Sequence, residues 1–237
     1  MPSWSVHLKI AKELNKKMNL DSDKFLFGSL IPDTDSNWKL GRFKAHYYGD
    51  IVFPKCPSEF MIDIDKFMSD YKDKLDDPLI IGYYTHLLTD NYYNEYIYYN
   101  KWIQNKYKDV IGIRKNNGSS IAILGDHKKL GHYKHKDLEL YGKKLYNSET
   151  LDVPNDIVSI YESLPLLKDE FVSMANVMYR VNYLNNDFVK FNELTEEDNK
   201  GYEMFTEEEL NTLLENCINY VESKLAELGI IEKNKNK

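Results

Sequence analysis

Cysteine is nearly absent from this chain. Cys56 and Cys217 are the only two in 237 residues, too few for a disulfide framework and without the paired spacing of a thiolate metal site. Both are expected to be free thiols in a reducing compartment. Glycine and proline are scarce too, at 11 and 7, which favours helices over a turn-rich architecture. No run of 18 consecutive apolar residues occurs, so no membrane span is expected. The first residues, Met1-Pro2-Ser3-Trp4-Ser5-Val6-His7, hold no basic segment followed by an apolar one, and no signal peptide is read there. The net charge is −7, with the two signs interleaved. That speaks against a stable nucleic-acid complex, or attachment to an anionic membrane, through a basic surface. A cytoplasmic location is the expectation.

What is present is an ordinary globular composition, 42% apolar and 29% charged, in a chain long enough to bury one large core. The 19 tyrosines cluster at helical spacing, so most are expected in the core or at an interface and not as a stacking platform. A first helix should run from about Ser3 or Ser5 to Asn19, with Val6, Ile10, Leu14 and Met18 in line and His7 beside them. Asp21-Ser22-Asp23 should cap a short second helix that stops before Pro32 and leaves Asp33 outside the helical ladder. Asp35 to Lys55 reads as a loop containing His46-Tyr47-Tyr48. A helix should span about Ser58 to Leu75. Asp76-Asp77-Pro78 then opens the longest one, to about Gln104.

Beyond Tyr107 the pattern weakens. Asn116 to Ser120 is a turn, and Ile121-Ala122-Ile123-Leu124 is too short to assign between strand and buried linker. Further helices are expected over Lys134–Tyr146, Val153–Leu164, Leu166–Leu184 and from the capping box Thr206-Glu207-Glu208-Glu209 onward. The whole predicts an all-α, single-domain multi-helix bundle over residues 1–231, with a charged tail over 232–237.

In the longest helix, His86 and Asp90 stand four residues apart among apolar neighbours. Positions i and i+4 share a helix face, so one metal ion about 2 Å from each side-chain tip could be held by both. A lone pair of this kind is ordinarily structural. The other histidines change its meaning. His7 and His46 also sit in apolar settings, whereas His127, His132 and His135 crowd into one polar stretch.

The ordered set His7, then Gly28-Ser29-Leu30-Ile31-Pro32-Asp33, then His46-Tyr47-Tyr48, then His86-x-x-x-Asp90 resembles the zinc-dependent phospholipase C family, with the P1-type nucleases as more distant relatives. The match covers about the first 100 residues. It implies a helical bundle with a metal cluster inside. His46, His86, Asp90 and Asp33 would ligate one zinc ion, and Asp90 would bridge to a second ion that also takes His7. Asp33 would orient or deprotonate the attacking water and is the catalytic candidate. Nitrogen and oxygen donors suit zinc, and manganese or iron would be tolerated.

The chain also departs from the family. Trp4 lies inside the chain and is expected to pack at the start of the first helix, where the family uses an N-terminal Trp as ligand. Tyr96 stands where the family has its next histidine. His135-x-x-x-Glu139 fits a remaining family motif by spacing, but its charged surroundings read as a solvated helix face. One metal is therefore expected, with two accommodated. The resemblance implies a hydrolase acting on a small phosphate-ester or phospholipid-like substrate. The alternatives are a helical protein with a purely structural metal and, ranked lower, an HD-type phosphohydrolase, whose adjacent His-Asp pair occurs here only reversed, as Asp126-His127.

Overall fold

In the computed structural model the described residues are 2–34, 44–48, 62–107, 109–123, 127–167 and 172–231. Most of them are helical. Helix α1 spans Trp4–Met18, α2 Ser22–Gly28, α3 Ile64–Tyr71 and α4 Pro78–Asn100. After a small sheet come α5 His127–Ser148, α6 Ile157–Ser163, α7 Met174–Asn186, α8 Phe188–Phe191 and α9 Glu207–Glu227. Among the described residues, no helix is long and apolar enough to cross a membrane.

Local chemistry sets the starts. Asp21, Asp63, Asp77 and Asp156 each accept a backbone N–H from the first turn of the helix they precede, which satisfies donors that the helix itself cannot. Thr206 and Glu209 close a full capping box on α9. Pro78 occupies the first turn of α4, where its missing N–H costs nothing. Helix α4 is the axis of the molecule. From Leu79 to Asp90 every residue is buried, so this stretch is surrounded on all sides and needs no polar face.

The helical bundle carries one element the sequence reading did not place. Strands β1 Trp102–Gln104, β2 Val110–Arg114 and β3 Ser120–Ala122 form an antiparallel meander in that order. Trp102 pairs with Ile113 and Gly112 with Ala122. The longest helix therefore ends at Asn100, short of Gln104, and Ile121-Ala122 belongs to a strand. The turn over Asn116–Ser120 lies between β2 and β3 as expected, with Gly118 at φ 82°. Three-residue strands are too short for a period-2 signal, and the meander is fastened from outside. Lys101 donates to the Met204 carbonyl (2.7 Å) and pairs with Glu209 (2.6 Å).

The helix expected over Leu166–Leu184 also differs. A 3-10 turn closes at Leu166, and α7 starts afresh at Met174, where Ser173 accepts the Asn176 N–H. Val181 is buried as expected, while Met178 points outward. Helix α3 begins at Ile64, and Ser58–Met61 lie outside the described residues, as do most of the Asp35–Lys55 loop and the tail over 232–237.

Two glycines fix how α2 meets α4. A Cβ on Gly82 would lie 2.2 Å from the Phe25 carbonyl oxygen, and one on Gly28 would lie 2.2 Å from the Leu79 carbonyl oxygen. Backbone touches backbone here, and no side chain can yield. In an ordinary helix interior, Gly→Ala gains about 1 kcal/mol. Gly82→Ala should instead destabilise by about 3 kcal/mol or more, because the clash forces the helices apart. Chemical denaturation of the purified variant checks this; a gain in stability would refute the contact.

Candidate metal centre

Five side chains converge where α1, α2, α4 and the 44–48 segment meet. Each is placed by a separate device. His7 faces inward from the buried side of α1. Asp33 closes the 3-10 turn Ile31–Asp33 that follows α2. His86 and Asp90 are one turn apart on α4.

His46 depends on a strained and well-anchored segment. Its neighbour Tyr47 has φ 52°, a left-handed conformation costing a non-glycine residue about 1–2 kcal/mol. The Tyr47 ring packs on Phe67, Tyr71 and Tyr83, and its hydroxyl donates to Asp70 (3.0 Å). Burial raises the pKa of that hydroxyl, so it stays a donor. Tyr83 donates to the Ala45 carbonyl. Tyr48 bridges to Ile62 and stacks on the His46 ring at 5.6 Å. Sequence reasoning treated these tyrosines as general core and missed that they hold a site residue.

The polar atoms of the cluster are close but do not hydrogen-bond as a closed set. His46 Nε2 lies 3.3 Å from Asp33 Oδ1, 3.4 Å from His86 Nε2 and 3.7 Å from Asp90 Oδ2. His86 Nε2 lies 3.5 Å from Asp90 Oδ2, and His7 Nε2 lies 3.5 Å from Asp90 Oδ1. Hydrogen bonds between such groups run at about 2.7–3.2 Å. Four ligands held at about 2.0–2.1 Å in a tetrahedron are instead about 3.3–3.4 Å apart. The 3.3 and 3.4 Å separations match that edge, the two at 3.5 Å lie just beyond it, and the 3.7 Å one is longer.

The two Asp90 oxygens face different partners, one toward His46 and His86 and the other toward His7. Both oxygens, and both nitrogens of His7, are buried without a hydrogen-bond partner, a costly state for polar groups that nothing else binds. His7, His86 and Asp90 form one group that could hold a metal ion, and Asp33, His46 and His86 form another.

The tautomers fit. His86 Nδ1 lies 2.8 Å from the Ser29 carbonyl oxygen. A carbonyl can only accept, so Nδ1 carries the hydrogen and the Nε2 lone pair of the neutral ring faces the cluster. Ser29 can offer this carbonyl because α2 ends at Gly28.

The electrostatics are compatible with a bound cation. Burial and the neighbouring His86 lower the His7 pKa to about 4, so it is neutral at pH 7. Burial pushes the Asp90 carboxyl upward, but His86 and His7 outweigh it and hold the group well below the usual carboxylate range. Burial likewise opposes charge on His86, and Asp90 and Asp33 overcome that to raise its pKa.

Among the described residues the cluster opens at Asp33. Asp33 is 10% exposed, while His7, His46, His86 and Asp90 are at 1% or less. Asp33 also lines a cavity of about 380 Å³ together with Trp4, His135, Glu139, Arg180, Tyr183, Phe188 and others. The indole Nε1 of Trp4 donates to Asp33 Oδ2 at 3.1 Å. Trp4 does pack at the start of α1, against Tyr183 and Phe188, and it also holds Asp33.

His135 and Glu139 are exposed on the cavity wall. The stretch around them is not simply a solvated face, because Asp137 between them is fully buried and accepts the backbone N–H groups of Glu203, Met204 and Phe205. Tyr96 lies outside the cluster, its hydroxyl donating to Glu209 at 2.6 Å. Asp126 and the His127 side chain lie outside the described residues. No protein-family model, curated protein or solved structure matches this chain.

Zinc added to metal-stripped protein should raise its stability by about 2.7 kcal/mol when free metal is 100 times the dissociation constant. His86→Ala and Asp90→Asn should bind less than a tenth of the wild-type metal and lose this gain. Elemental analysis with thermal melts measures both, and equal metal content in wild type and His86→Ala would sink the centre.

Proposed function

We propose that this chain is a metal-dependent phosphoesterase of the zinc-dependent phospholipase C type, the helical bundle being of that type also. A cytoplasmic setting goes with the proposal; Cys217 is a buried free thiol. One observation carries the reading. Asp33, His46 and His86 each offer a donor atom that could share one ion, and Asp33 is the one of the three that also lines a cavity. A purely structural ion needs no such opening.

In the proposed roles His46, His86, Asp90 and Asp33 hold one ion, and His7 with the second oxygen of Asp90 provides for another. Zinc suits the nitrogen and oxygen donors, with manganese or iron accepted by the same set. When bound, a divalent ion here lowers the pKa of a coordinated water toward about 7 and offsets the charge of a phosphoryl group.

The chain's own groups do the rest. Asp33 would receive the proton of the attacking water or orient that water, while Trp4 fixes its Oδ2. The Ser29 carbonyl holds the orientation of His86. His7, His46 and Asp90 are sealed from bulk water, which strengthens every charge interaction inside. A small phosphate ester fits the cavity, whose volume is at the lower end of small-molecule sites.

Metal-loaded protein should hydrolyse at least one chromogenic phosphate monoester or diester, and a chelator should abolish this until zinc is returned. Asp33→Asn should lower kcat by about 10²-fold or more, the usual range for loss of a general base. Full metal occupancy with no turnover across a mono- and diester screen would overturn the reading and favour a structural metal.

A further inference from the structure

Among the described residues lining the cavity beside Asp33 is one guanidinium, that of Arg180. Its guanidinium lies over the Trp4 ring at 5.4 Å and over the Tyr179 ring at 5.2 Å. Among the described residues it makes no ion pair, although the cavity also contains the carboxylates of Asp33 and Glu139.

Stacking on two rings restricts the planar fork without using its N–H donors. The same Trp4 holds Asp33 through its indole N–H. The guanidinium, the indole and the carboxylate thus form one connected unit running from cavity to cluster.

We propose that Arg180 is the anion-recognising residue of this cavity and that its ligand is a small phosphate ester with an apolar or planar body. Guanidinium geometry matches phosphate oxygens in a two-point contact. The remaining walls are Pro2, Ser3, His135, Tyr183, Phe188 and Phe191, and Trp4 touches both Tyr183 and Asp33. The aromatic faces among them suit a flat or apolar leaving group. Asp33 and Glu139 place two carboxylates against one guanidinium, so an anion is favoured only once the cluster holds its cation. Arg180 also acts on specificity, because an uncharged ester would leave the fork unpaired. This inference rests on the phosphoesterase reading for the identity of the ligand.

Calorimetric titration of metal-loaded protein with inorganic phosphate tests it without needing turnover. Wild type should bind phosphate. Arg180→Gln should weaken that affinity at least 10-fold at unchanged metal content, and Arg180→Lys should recover part of it. Where an ester is turned over, Arg180→Gln should raise KM at least 10-fold and leave kcat within about 3-fold. A residue that merely packs on Trp4 would not produce that split or the partial rescue by lysine. Equal phosphate affinity in wild type and Arg180→Gln, or no phosphate binding by wild type, overturns the inference. Phosphate binding through Arg180 with no ester hydrolysis would instead overturn the phosphoesterase reading and leave the anion site standing. Hydrolysis with an unchanged KM in Arg180→Gln would do the reverse.

Discussion

The candidate metal centre depends on a contact in which none of its five side chains takes part. Gly28 on α2 and Gly82 on α4 let two helix backbones touch, and α2 and α4 share the most extensive contact between elements in the described structure. Gly82 lies one turn before His86, and Gly28 directly precedes Ser29. Close approach at the glycines therefore sets the Ser29 carbonyl 2.8 Å from His86 Nδ1. It also fixes where α2 ends, and so where the Ile31–Asp33 turn places its carboxylate. A methyl group at either glycine would move two ligands at once. Packing at this level of closeness transmits small shifts with little loss, because dense interiors deform as units.

A second constraint is charge. Asp90 is fully buried and kept ionised by its histidine neighbours. Protein interiors accept an ionised carboxylate only with a partner or a metal. The partners here are too far for ordinary hydrogen bonds and at the right spacing for a shared ion. The surroundings are otherwise apolar and aromatic, which makes leaving the donors unsatisfied more costly still. His46 adds to this expense, since its segment carries a left-handed Tyr47. Strained backbone of that sort persists where surrounding contacts over-determine it, and three aromatic rings with Asp70 supply those contacts.

Much of this was legible in the residues. The i, i+4 spacing of His86 and Asp90, the helix caps at Asp21, Asp77 and Thr206, and the stop that frees Asp33 are local features, and the structure places each as local chemistry predicts. The grouping of His7, Asp33, His46, His86 and Asp90 came from ordered motifs resembling a family, not from periodicity. What stayed hidden is tertiary. The β1–β3 meander has strands too short for a pattern and is fastened by Lys101 to the distant Met204 and Glu209. Asp137 looked like one charge among many on a helix, yet it is buried beneath a segment some 66 residues away. Nothing near Ser29 or Tyr83 in sequence marks them as supports of imidazoles on other elements. Arg180 could be noticed only once α7 had been laid beside Trp4.

The position of Asp33 joins these levels. Among the five clustered side chains it is the one with both an inner and an outer face: Oδ1 meets His46 inside, and Oδ2 meets the Trp4 indole at the cavity. A carboxylate so placed can pass a proton between buried cluster and cavity without opening the core to water. Had the outlet been at His7 or His86, substrate would have to reach a buried imidazole packed within helices α1 and α4, and the bundle would need to part. Placing the exposed donor on a 3-10 turn between elements leaves the bundle closed. The rigid helices keep the ligands in register, and the short turn presents the one group that the proposed chemistry must reach.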